Sequence, residues 1–111
     1  MERTHIAAIE LEGVFLSNPE FYMLFIDSLK KGGWEVGIFS KLQEEDSNIE
    51  RCYDFWVRYD GGKDESFTKA KLILRHRINI LVSANGSDVI KQLKMMKKDK
   101  GHIVLKQQNM V

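Results

Sequence analysis

The chain has 111 residues, 43% apolar and 30% charged, values that exclude a disordered or fibrous protein and make one self-folding domain, residues 1–111, the expectation. Seventeen Lys and Arg are interspersed with sixteen Asp and Glu for a net charge of +1, so no global field favours nucleic acid or an acidic membrane surface. Cys52 is the only cysteine, which excludes an intramolecular disulfide and a Cys-based zinc site; with no signal peptide and no span-length apolar run, the expected location is the cytoplasm.

The first apolar run, "HIAAIEL", is short and continuous, as in a strand covered on both faces. It ends in two carboxylates, Glu10 and Glu12, with Gly13 directly behind. A helix is predicted from Pro19: Ser17 and Asn18 are capping residues, proline suits the first helical position, and Ser17 with Glu20 has capping-box spacing. Phe21, Leu24, Phe25, Ser28 and Leu29 recur along it at helical intervals, and Lys30, Lys31 and Gly32 supply a cationic end and a stop. "WEVGIF" is a second buried strand ending at Ser40, followed by the polar "KLQEEDSNIER", read as a short exposed helix.

"CYDFWVRY" alternates Tyr53, Phe55, Val57 and Tyr59 against Asp54, Trp56 and Arg58, the pattern of a third strand. Asp60, Gly61 and Gly62 end it in a turn. From about Ser66 to Arg75 a helix is expected with Phe67, Ala70, Ile73 and Leu74 on its inner side. "INILVS" is a fourth strand, Asn85 and Gly86 a turn, and Val89, Ile90, Leu93 and Met96 mark another amphipathic helix. "HIVLK" is a final short strand within the one basic stretch, Lys91 to Lys106.

Apolar strands alternating with helices require crossover connections, hence parallel neighbours. The expected fold class is α/β: a three-layer, doubly wound, mainly parallel sheet of about five strands without a cap domain. Ligands of such sheets sit beyond the carboxyl ends of the strands, where strand order reverses. The residues there are Glu10, Glu12 and Gly13, then Ser40 and Lys41, then Ser83 to Asp88, with Lys63 and Lys69 between the third and fourth strands. Carboxylates, a hydroxyl and a lysine at one edge suit a divalent cation with a phosphate.

The order and spacing of these segments resemble the haloacid dehalogenase superfamily, whose scaffold is Rossmann-like. "ELEGV" resembles its Asp-x-Asp-Gly-[Val/Thr] signature, "GIFS" its second motif, a lysine on a later helix its third, and "SANGSD" its Gly-Asp-x-x-x-Asp fourth. The resemblance implies a magnesium-dependent phosphohydrolase in which the first carboxylate attacks phosphorus and the second protonates the leaving group. Carried over by position, Glu10 and Glu12 are the catalytic pair, Ser40 and Lys69 hold phosphate, and Glu10 with Asp88 holds a weakly bound Mg²⁺. Two departures weaken that chemistry. Glu10 is one methylene longer than Asp, and misplacement of about 1 Å costs on the order of 10²-fold in rate; Ala84 stands where the fourth motif has its first aspartate. The expectation is therefore an eroded phosphohydrolase, weak or inactive, with an open site for a phosphorylated ligand or a protein partner.

Plainer readings stand beside these. Strand ends often carry charge, Asp88 suits a helix N-terminus, Ser40 suits a cap, and Lys63 or Lys69 suits solvent. His5, His76 and His102 lack ligand spacing. The alternative function is a non-catalytic interaction module on the same scaffold, paired as a homodimer through the aromatic third strand.

Overall fold

Local signals set the helix boundaries. In the computed structural model, which describes residues 5–96 and 103–106, strand β1 (Ile6–Glu10) leads through a single 3-10 turn at Phe15–Ser17 into helix α1 (Pro19–Lys31). The Asn18 side chain accepts the Phe21 N–H at 3.3 Å, proline opens the helix, and Lys30, Lys31 and Gly32 close it. Asn18 alone is the cap; the Ser17 hydroxyl instead donates to the Val14 carbonyl.

The buried stripe of α1 is Tyr22 and Ile26, with Met23, Phe25 and Leu29 partly covered. This corrects the expected inner face by one residue, since Phe21 and Leu24 are 53% and 69% exposed. The helix is apolar over so much of its circumference that periodicity leaves its phase open. The preceding turn sets it, by seating Phe15 in the core 6.3 Å from the Tyr22 ring.

Strand β2 (Glu35–Ser40) follows, then β3 (Phe55–Arg58), α2 (Glu65–Arg75), β4 (Ile80–Ser83) and α3 (Gly86–Met95). The exposed helix expected between β2 and β3 is only one 3-10 turn, Glu44–Asp46, because consecutive acids offer no apolar stripe to bury. The third strand is shorter than its alternation suggests. The chain bends at Tyr53 and Asp54, where the Asp54 carboxylate accepts the Val36 N–H at 2.8 Å and Tyr53 turns into the opposite core from Phe55.

The sheet is Rossmann-like. Strands β1 to β4 are all parallel, in the order β3-β2-β1-β4, and the backbone of β5 (Ile103–Lys106) pairs parallel with the far side of β4. Residues 97–102, and with them much of the basic stretch Lys91 to Lys106, lie outside the described residues. Side chains alternate between two cores, as a strand period of two requires. Ala8, Phe39, Val57 and Leu81 meet Ala70 and Ile73 of α2 and Val89 and Leu93 of α3. Ile9, Val36, Ile38 and Val82 meet Tyr22 and Ile26 of α1. Gly37 is paired with Phe55, and a methyl group added there would lie 2.2 Å from the Phe55 ring; glycine lets that ring lie across the strand. Among the described residues no helix is long and apolar enough to cross a membrane.

Chain order runs outward from β1 to β2 and β3 and then returns to β4 on the other side of β1. The reversal opens the crevice between the carboxyl ends of β1 and β4, the place where open parallel sheets bind ligands.

Candidate functional site

A cavity of about 310 Å³ lies at that reversal, lined by Glu10, Glu12 and Gly13 after β1, Lys41 after β2, Tyr59 after β3, Glu65 and Lys69 of α2, and Ala84 and Asn85 after β4. Glu10 is the last residue of β1, and the Leu11 N–H continues the ladder to the Phe39 carbonyl at 2.9 Å. Gly13 then turns the chain away with φ at +78°, a conformation that only glycine adopts freely.

Lys69 is the inward residue of α2 at this level. Its ammonium lies 2.8 Å from Glu10 Oε2, and both side chains are only 3% exposed. This corrects the expected inner face of α2, where Phe67 is 39% exposed and Lys69 is buried beside Ala70 and Ile73. The physical reason is the carboxylate: a buried ammonium needs a counter-charge, and Glu10 supplies it. Lys69 also donates to Asn85 Oδ1 at 2.8 Å. Glu10 Oε1 accepts a long 3.4 Å contact from the Ala84 N–H. Oε2 is held by the Lys69 ammonium in this buried ion pair.

Asn85 ties the deep wall together. Its Oδ1 also accepts the Ser83 hydroxyl at 2.7 Å, its N–H donates to Ser83 Oγ at 3.1 Å, and its Nδ2 donates to Ser66 Oγ at 3.1 Å. The end of β4 is thereby joined to the first turn of α2. Glu12 forms the shallow wall, accepting from Ser40 Oγ at 2.6 Å and from the Lys41 N–H at 3.3 Å. Ser40 Oγ in turn accepts the Leu42 N–H at 2.9 Å. Ser40 is fully buried and does not line the cavity. Its hydroxyl serves Glu12 rather than a ligand, which corrects its expected phosphate contact.

Lys41 and Glu65 close one side with an ion pair of 2.6 Å. Glu65's hydrogen bond to the lysine holds its carboxyl below the usual carboxylate range, with the Lys69 charge assisting, and the same bond raises the Lys41 ammonium. Burial, followed by the charges of Glu10, Glu65 and Glu12, pushes the Tyr59 hydroxyl far up, so it stays neutral. Three carboxylates face two ammonium groups, leaving one negative charge in excess.

The expected partnership of Glu10 and Asp88 is not assembled. Asp88 is exposed on the first turn of α3 and, with Lys63, lines a neighbouring cavity of about 420 Å³; Asn85, three residues earlier, takes the inward position. Among the described residues no three His, Cys, Asp or Glu side chains are grouped as a metal-binding set. Glu10, the carboxylate nearest the expected position, already faces an ammonium.

Sequence reasoning named Glu10, Glu12 and Lys69, which line one cavity, included Asn85 only within the strand-end segment Ser83 to Asp88, and passed over Glu65 and Tyr59. Glu65 had a usable signal: it precedes Lys69 by four residues, so both lie on one helix face. Asn85 gave none beyond its place after a strand. No protein-family model matches the chain, and no curated protein and no solved structure matches it either.

Proposed function

We propose that the chain is a small, three-layer, doubly wound domain of haloacid-dehalogenase-like design that binds a phosphorylated ligand, with phosphohydrolase activity that is weak or lost. The observation that carries the reading is the convergence of Glu10, Glu12 and Lys69 on one cavity at the β1/β4 reversal. Lys69 is the cation for a phosphoryl oxygen, and Asn85 holds it in place. Glu12, half-buried and supported by Ser40, is the group able to exchange a proton with a leaving oxygen.

Loss of turnover follows from Glu10. Its carboxylate is held against the lysine at 2.8 Å, and its extra methylene relative to Asp misplaces the attacking oxygen by about 1 Å, which costs on the order of 10²-fold in rate. The test is a thermal-shift titration with inorganic phosphate, alongside a generic phosphatase assay with Mg²⁺ on wild type, Glu10→Asp and Glu10→Ala. Phosphate is expected to raise Tm, by ligand linkage, while wild type turns over slowly or not at all. Vigorous wild-type turnover, or no shift with phosphate, refutes the reading.

The second reading, a non-catalytic interaction module, is favoured by an exposed apolar patch at Leu16, Phe21 and Leu24, with Phe25 stacked on Phe21 at 6.1 Å. Strand β3 does lie at the sheet edge, yet Tyr53 and Tyr59 are buried and Phe55 and Trp56 are packed against the two cores. A homodimer would therefore use α1 rather than the aromatic strand. Sedimentation of wild type against Phe21→Ser/Leu24→Ser decides it.

A further inference from the structure

A groove of about 730 Å³ lies between α2 and β3, sharing only Tyr59 with the cavity at the β1/β4 reversal. Helix α2 returns the chain from the end of β3 to the start of β4, so it runs back along β3. At its start Glu65 meets the Tyr59 hydroxyl at 3.5 Å, and just past its end the His76 ring lies 6.5 Å from that of Phe55. No residue of α3 lines the groove, which places it on the outer flank of α2. Strand β3 is the outermost of the sheet, so alternate N–H and C=O groups along its far side have no strand partner.

The lining concentrates positive charge. Arg58, Lys71 and Arg75 are exposed cations, and Asp60 is the one carboxylate, 3.0 Å from Arg58 with its side chain 85% exposed. Two positive charges stay in excess, whereas the whole chain carries only +1. Among the described residues neither Lys71 nor Arg75 has an ion-pair partner; Lys71 lies 5.0 Å from the centre of the Phe67 ring. The two stand four residues apart on one helix face, where like charges repel. A guard against edge-to-edge pairing of sheets accounts for Arg58 and leaves this helical pair without a reason. Tyr59, Leu72 and Leu74 give the groove apolar surface.

We infer that the groove takes an extended acidic segment of a partner protein, which pairs with the outer edge of β3 and sets carboxylates at alternate positions against Lys71 and Arg75. Strand addition at an open edge is a general mode of peptide recognition, in which main-chain bonds give affinity and alternate side chains give specificity. The spacings match: side chains four apart on a helix lie about 5–6 Å from one another, and alternate side chains of a strand about 6.7 Å. With four residues, β3 offers an edge of about 13 Å, room for one such pair of carboxylates. Glutamate suits the groove better than aspartate, because its extra methylene covers apolar surface. A nucleic-acid strand fits less well, since Tyr59 is buried and bases need an open aromatic face on which to stack. The inference does not rest on the phosphate-binding reading, and Glu10 and Lys69 take no part in it.

Fluorescence anisotropy of the full chain with two labelled, end-blocked peptides of one composition tests this: Thr-Thr-Glu-Val-Glu-Thr-Thr, with its acids on one face, and Thr-Thr-Glu-Glu-Val-Thr-Thr, with its acids on opposite faces. The first is expected to bind with Kd at or below about 1 mM, and about 10-fold more tightly than the second, the least that a lost charged contact costs. Lys71→Glu/Arg75→Glu, at two exposed positions, should abolish the binding. Methylating the peptide nitrogens along one edge of the first peptide should weaken it by about 10-fold, while methylating those along the other edge should be tolerated, because only one edge meets β3. Oligothymidylate of the same net charge should bind more weakly. The comparison of the two peptides needs no variant. Equal binding of both, no binding of either up to about 1 mM, indifference to the charge reversal or to methylation of both edges, or tighter binding of oligothymidylate overturns the inference.

Discussion

Removing the Lys69 ammonium tests whether the buried pair organises the site. In Lys69→Met the aliphatic stem is kept and the charge is lost, leaving Glu10, 3% exposed, without the partner that lay 2.8 Å away. Breaking a buried pair from one side costs about 3–5 kcal/mol, a large part of the roughly 5–15 kcal/mol that stabilises an ordinary domain. At roughly 4 °C per kcal/mol for this size, Tm should fall by roughly 12–20 °C. Glu10→Met/Lys69→Met removes both charges and should lie within about 1–2 kcal/mol of wild type, because two desolvation penalties vanish with the attraction. The measurement is urea unfolding followed by fluorescence of Trp34 and Trp56, with ΔΔG taken from midpoints at unchanged m. Additive effects of the two single substitutions would refute the reasoning, since charges in contact must couple.

The remaining predictions concern the scaffold around the pair. Gly37→Ala sets a methyl 2.2 Å from the Phe55 ring and should cost about 1–3 kcal/mol by overpacking; Phe55→Leu in the same chain should recover part of that loss in the same unfolding assay. Asn18→Ala removes the 3.3 Å cap on Phe21 and should cost about 1 kcal/mol, read as a lower urea midpoint. The Lys41–Glu65 pair should contribute stability above the ordinary glutamate range, about pH 4.3, and lose it as pH falls further, because the Glu65 carboxyl is depressed in the fold. Both groups are partly exposed, so the effect should stay below about 1 kcal/mol, and Lys41→Met should flatten the acid limb of a Tm-against-pH curve by that amount.

The fold was legible because its signals are local. Continuous apolar runs at Ile6–Glu10, Glu35–Ser40 and Ile80–Ser83 are what strands covered on both faces require, and parallel pairing follows from the helices between them. What stayed hidden depends on tertiary contacts. The rotation of α1 is fixed by Phe15 against Tyr22, and Tyr53 leaves the pattern of its strand because the Asp54 carboxylate takes over a ladder bond to Val36. A side chain that borrows a backbone donor eighteen positions away leaves no trace in periodicity.

The site divides along the same line. Glu10 and Lys69 come together because a parallel sheet collects its strand ends at one rim, a consequence of topology that holds for any residue at those positions. Which groups then face the cavity is decided by charge compensation. Lys69 is drawn inward by Glu10 and still lines the cavity, whereas Ser40 is drawn to Glu12, and that second choice removes a hydroxyl that a motif would have assigned to the ligand. Asp88 illustrates the limit of position by position transfer: it occupies the expected place in the sequence yet lines another cavity, while Asn85 reaches the one at the reversal. An acidic residue near a strand end thus becomes part of the site when a neighbouring group holds its carboxylate there, a buried counter-charge for Glu10 and the Ser40 hydroxyl for Glu12.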